Sequence, residues 1–280
     1  TRSATSAHAI TDGQSTHKNH PIHSYNFNYS NYNLKIKPMK KLKTSLLVIS
    51  ALISISILHA QTVDDIINKH IDALGGKDKL SQVTSLYVES TVNAMGNDNS
   101  AKTYILNGKG YKVEMDMNGQ QFVQCYTIDK GGWLTNPMAG QSQPVAMPDD
   151  QYKAAKYQIQ VPDQLFNYAE KGSKVELQGT EKIDSINAYK IKLTNADSVE
   201  TTYYIDPMTY YIVKSISSGI MMGQPVEITN TYSNYQKTDF GLVVPYSRVT
   251  DFGQFSLTVT VTKAEVNKQI DPSIFDMPKQ

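Results

Sequence analysis

From residue 85 to residue 266 the sequence alternates apolar and polar residues in short runs separated by turn residues. A period of two is the mark of strands with one face on a core. Residues 85–95 set Leu86, Val88 and Val92 against Tyr87, Glu89, Thr91 and Asn93. Residues 111–117 set Tyr111, Val113, Met115 and Met117 against Lys112, Glu114 and Asp116. Asn118-Gly119 then reads as a two-residue hairpin turn, and residues 96–99 and 130–132 as further turns. Strands are also expected at 103–107, 122–129, 174–179, 188–193, 201–205, 212–217, 226–235, 242–249 and 255–266. The total is about eleven at hairpin spacing.

Helices are expected at the front and in the middle. Val63, Ile66, Ile67, Ile71 and Leu74 recur at helical spacing, Thr62 and Asp65 stand like a capping pair, and Gly75-Gly76 ends the run. A short turn with Leu80 and Val83 follows. His70 is placed opposite most of the apolar positions, as a solvated residue. Residues 149–160 and 162–171 lack alternation and read as two helices, with Leu165, Phe166 and Ala169 as the apolar stripe of the second.

So many hairpin-linked strands make one large antiparallel sheet, and a long sheet curls because strands twist. Its concave face is apolar and must be covered. The expected fold is mainly β with a helical lid (α+β): a single curled antiparallel sheet forming an unclosed β-barrel covered by helices. Either a packed core or an apolar cavity lies between sheet and lid.

The first sixty residues read as address. Lys40, Lys41 and Lys43 precede an almost wholly apolar stretch at 46–58, too short for a comfortable membrane span, and Ala60 is small enough to precede a cut. Residues 39–60 are therefore expected to be a signal peptide cleaved after Ala60, with export to the periplasm. No cysteine follows to carry a lipid anchor. Residues 1–38, rich in His, Asn, Ser and Tyr, read as a disordered extension outside the native protein. Residues 61–280 form one domain.

Charge and composition then exclude function classes. Of the 27 basic residues seven lie in the first sixty, with one of the 26 acids, which leaves residues 61–280 with 20 basic and 25 acidic residues. That balance exerts no pull on phosphate backbones, so no nucleic acid is expected as a partner. One cysteine, Cys125, excludes an internal disulfide. One histidine beyond residue 60, His70, leaves no zinc ligand set and one candidate base. The paired acids Asp64-Asp65 and Asp149-Asp150 stand at helix starts, where the dipole favours them. No nucleophile–base pair, metal cluster or phosphate loop stands out, so neither a cofactor, a metal nor an enzyme is expected.

Three stretches resemble the periplasmic lipoprotein carriers of the LolA/LolB type. They are the front helix ending Ala73-Leu74-Gly75-Gly76 with the strand after it, Tyr203-Tyr204-Ile205-Asp206-Pro207-Met208-Thr209, and Ile270-Asp271-Pro272-Ser273-Ile274-Phe275 near the end. Gly131-Gly132-Trp133-Leu134, leading into a Pro- and Gln-rich loop, also fits. Together these cover nearly all of residues 61–280. The resemblance implies an unclosed antiparallel barrel with a helical lid that holds acyl chains, with lipid acyl chains or lipoproteins as partners and an inner- or outer-membrane receptor beside them. A monomer is expected. Carrier members place an arginine on an early strand to hold the lid; this sequence has no Arg between residues 61 and 247.

The candidate cavity residues are Val88, Val92, Met115, Met117, Phe122, Trp133, Leu165 and Phe166. Met and aromatic side chains adapt in shape to an acyl chain. Five of them have a plainer alternative: Trp133 as ordinary core, Met115 and Met117 packed under the lid, Leu165 and Phe166 sealing a dry interior. Met221-Met222 reads either as a membrane or partner contact or as a hairpin tip. The leading function is a non-enzymatic carrier of lipid or lipoprotein acyl chains. The alternative is an envelope-stress sensor of the same fold.

Overall fold

The computed structural model describes residues 61–221 and 224–279. The expected extension 1–38, the expected signal peptide 39–60 and the hairpin tip at Met222 lie outside the described residues. The chain begins with α1 (Val63–Ala73) and α2 (Lys77–Leu80). Thr62 and Asp65 make the expected reciprocal cap: the Asp65 N–H donates to Thr62 Oγ1 at 3.1 Å and the Thr62 N–H to Asp65 Oδ2 at 3.0 Å.

Six strands follow: β1 (Ser85–Ala94), β2 (Asn97–Leu106), β3 (Gly110–Met117), β4 (Gln120–Thr127), β5 (Gly131–Asn136) and β6 (Gln141–Ala146). After α3 (Asp149–Ala155) come β7 (Lys174–Ile183), β8 (Ile186–Thr194), β9 (Glu200–Ile205), β10 (Ile212–Met221), β11 (Gln224–Lys237), β12 (Val243–Asp251) and β13 (Ser256–Val266). All belong to one 13-stranded sheet in the order β6-β5-β4-β3-β2-β1-β13-β12-β11-β10-β9-β8-β7. Every step but one is a hairpin or a direct antiparallel return. The exception, β1 beside β13, joins the two halves, with Val92 opposite Val259. The sheet does not close: β6 and β7 are its edges, and the segment 147–173 runs between them.

Two strands exceed the expected count, β5 and β6. Gly131, Gly132, Pro137 and Pro144 hid them, because a proline argues against a central strand. Pro144 is tolerated because β6 is an edge. The β1–β2 turn is also tighter than expected. Met95 (φ 50°) and Gly96 (φ 82°) form the whole loop, so β2 starts at Asn97. Two successive positive φ values make a hairpin turn whose twist matches the strands.

The middle segment corrects one expectation. Residues 149–159 are helical, α3 followed by a 3₁₀ turn at Lys156–Ile159. Residues 162–171 are not a helix but a chain of turns. Asp163 Oδ1 accepts from the Leu165 N–H at 2.8 Å, and Asn167 stands at φ 53°. A left-handed residue breaks helical propagation while letting Leu165 and Phe166 both point inward.

Packing occupies both faces of the sheet. On the concave side Ile66, Ile67 and Ile71 of α1 and its C-cap residue Leu74 meet Leu165, Phe166, Ile191, Leu193, Ile205 and Leu242. On the convex side the C-terminal turn Pro272–Phe275 buries Phe275 against Val123, Cys125 and Trp133. A Cβ added at Gly110 would lie 3.1 Å from two carbons of the Phe275 ring. Gly110→Ala is therefore expected to lower the unfolding free energy by about 1–3 kcal/mol, the cost of overpacking. A urea titration matching the parent would show that the turn does not rest on β3.

Candidate functional site

Alternation decides what faces the hollow of the sheet. In β1 the even residues Leu86, Val88, Ser90 and Val92 point inward; in β3 the odd residues Tyr111, Val113, Met115 and Met117 do. Phe122 of β4 joins them, as do Ile228 of β11 and Leu257, Val259 and Val261 of β13. Together they line a cavity of about 1350 Å³. Drug-sized pockets run to about 1,000 Å³, so this hollow has room for a longer guest. α3 packs against β5 and β10 and so crosses it. Met95 and Met138, 74% and 70% exposed, stand at its rim on hairpin tips of one end.

Of the expected cavity residues, Val88, Val92, Met115, Met117 and Phe122 line the hollow. Trp133, Leu165 and Phe166 do not. Trp133 has the opposite parity to Leu134 and falls on the convex face, where its Nε1–H donates to the Phe275 carbonyl at 2.9 Å. Leu165 and Phe166 belong to the packed core beside α1. Their neighbours Pro162, Asp163 and Gln164 face the cavity in their place.

His70 also departs from expectation. It is 1% exposed and stands in one row with Ile66 and Leu74, four residues apart on the helix. Its Nδ1 lies 2.7 Å from the Tyr210 carbonyl and its Nε2 2.9 Å from Asp163 Oδ2. A carbonyl only accepts, so Nδ1 carries a proton, and pairing with a carboxylate puts one on Nε2 as well. Burial by itself pulls the imidazole pKa down, but the Asp163 charge and hydrogen bond outweigh it and hold the pKa above the ordinary value. Burial pushes the Asp163 pKa up, and the His70 cation reverses this to a net lowering, helped by the Leu165 N–H and Lys171. The pair fastens α1 to the segment 161–171 and to the β9–β10 turn.

The sequence reading missed Arg248. It lies on β12 opposite Tyr232 on one side and Val259 on the other, inside the cavity lining. The sparse alternation of β12, with Pro245 and Ser247 beside it, hid its direction. Its positive charge reaches Tyr111 across the hollow, where burial raises the phenol pKa and Arg248 works against that rise.

Burial pushes the Cys125 thiol up to about 12, and its Sγ sits 3.4 Å from the Phe275 carbonyl on the convex side. A thiol so raised is not a nucleophile at neutral pH. Among the described residues no group of three His, Cys, Asp or Glu side chains is placed to hold a metal ion. What the site offers is a mostly apolar hollow with a polar patch, suited to holding a molecule.

Known crystal structures share this fold. A LolA superfamily protein from Nitrosomonas europaea is 15% identical, with 78% of this chain and 98% of that chain covered and a TM-score of 0.50. The fold is LolA-like. A DUF1329 family protein from Desulfovibrio piger is 15% identical, with 76% of this chain and 97% of that chain covered and the same TM-score of 0.50. No protein-family model and no curated protein matches the sequence. At such identity the likeness concerns the fold alone.

Proposed function

We propose that residues 61–280 form an exported, non-enzymatic carrier that shelters acyl chains of lipids or lipoproteins. The supporting observation is the cavity of about 1350 Å³ between the curled sheet and α3, walled by Val88, Val92, Val113, Met115, Val259 and Val261. Burying an apolar chain there removes it from water at roughly 25 cal/mol per Å². Methionine at both the wall and the rim adapts to chains of different shape. The expected signal peptide 39–60 would deliver the carrier to the periplasm, where a membrane receptor would load or unload it.

Mass spectrometry of organic extracts of the purified protein tests the reading, with a fluorescent fatty acid as the added probe. Acyl lipid in the extract and saturable probe uptake are expected. Met115→Trp fills the hollow from β3 and is expected to weaken probe binding roughly tenfold or more, by imposing about 1–3 kcal/mol of overpacking on the bound chain. Clean extracts together with no probe uptake would dispose of the carrier reading.

A further inference from the structure

Arg248 is the only arginine in residues 61–280, and none of the lysines there lines the cavity. The one acid in the lining, Asp163, is already paired with His70. Among the described residues no carboxylate stands within ion-pair distance of Arg248. Its surroundings are polar but neutral. Tyr232 lies opposite it on β11, with its hydroxyl 3.0 Å from Ser215 Oγ. Thr250, two residues along β12, donates to Asn230 Oδ1 at 2.7 Å.

The cavity wall is thus divided. β10, β11 and β12 present Ser215, Asn230, Tyr232, Arg248 and Thr250 among apolar residues such as Ile228, while β1, β3 and β13 present mostly aliphatic and methionine side chains, with Ser90 and Tyr111 among them. Arg248 lies three residues from the rim end of β12 at Asp251, level with Val92 through Val259. A guest with an apolar tail and a charged head would find both parts of the wall complementary. A guanidinium favours anions with paired oxygens, such as carboxylate and phosphate, which it meets with two parallel hydrogen bonds.

We propose that Arg248 is the head-group anchor of this cavity, and that its preferred ligands are anionic amphiphiles bearing a carboxylate or phosphate, with the tail along β1, β3 and β13. This rests on the acyl-carrier reading and narrows it, since an amide- or ester-linked acyl chain without a charge would gain nothing from the guanidinium.

Four probes with one common tail test this: laurate, dodecyl phosphate, dodecanol and dodecylamine, titrated calorimetrically into the protein. Laurate or dodecyl phosphate is expected to bind roughly 10- to 100-fold more tightly than dodecanol, as a charged hydrogen bond contributes, and dodecylamine most weakly. The better of the two anions identifies the head group. Arg248→Gln should erase the preference while leaving dodecanol affinity within about threefold, and Arg248→Lys should keep part of it. Anions and dodecanol binding equally to the parent, or a preference surviving in Arg248→Gln, would overturn the anchor while leaving the acyl reading intact. Failure of all four probes would overturn both. Thermal unfolding of each variant separates a lost anchor from a lost fold.

Discussion

Asp163→Ala is expected to lower the unfolding free energy by about 3–5 kcal/mol near pH 5–6, because it leaves the His70 imidazole buried with no counter-charge. The effect should be strongly pH-dependent. The folded-state pKa of His70 lies above its ordinary 6.5, so its contribution is complete below that value and is lost as pH rises through the folded value. The folded-state pKa of Asp163 lies below its ordinary 3.8, so its contribution is present above that value and is lost as pH falls through the folded one. The difference between parent and variant should therefore be largest from about pH 4 to about pH 6.5 and shrink on either side. Urea unfolding at several pH values measures it. A difference of the same size at about pH 5 and about pH 9 would mean that the two side chains do not form an ion pair. His70→Leu with Asp163→Leu should recover much of the loss, since apolar groups can replace a buried pair at little cost.

Phe275→Ala should cost about 3–5 kcal/mol, as truncation of a buried aromatic ring does. Phe275 is 5% exposed and holds the C-terminal turn on the convex face beneath Val123, Cys125 and Trp133. Its carbonyl accepts from both Trp133 Nε1 and Cys125 Sγ, so loosening the turn leaves two buried donors short of an acceptor. Trp133 is the one tryptophan in the sequence, so its emission reports this site alone. A red shift with the loss of stability is expected. Unchanged emission together with a stability change under about 1 kcal/mol would refute the convex-face packing. The cavity lies on the other side of the sheet, so acyl-probe affinity should hold at denaturant-free conditions.

Both predictions concern contacts that alternation could not reach. The period of two in β1 and β3 sorted Val88, Val92, Met115 and Met117 onto the hollow face, because neighbouring side chains on a strand must point apart. The same rule failed at Trp133. Its strand is apolar on both faces, with Trp133 under the C-terminal turn and Leu134 toward α3. A two-sided burial erases the alternation that a one-sided sheet writes into its sequence. The signal that could have found it was the apolar Ile270, Ile274 and Phe275 beyond the last strand, which need a surface of their own. His70 was misplaced for a similar reason. The helical row 66, 70, 74 puts it among the isoleucines, and its partner Asp163 lies 93 residues away.

Local chemistry by itself determined the strands other than β5 and β6, the cap of α1, the Asn118-Gly119 turn and the curl of one long antiparallel sheet, because these follow from period, turn geometry and twist among near neighbours. Only the tertiary structure decided that β1 pairs with β13, that the sheet stays open between β6 and β7, and that the hollow remains a cavity. It also decided that Arg248 faces inward. These depend on which distant segments meet, and a side chain's partner across the sheet leaves no trace in the residues beside it.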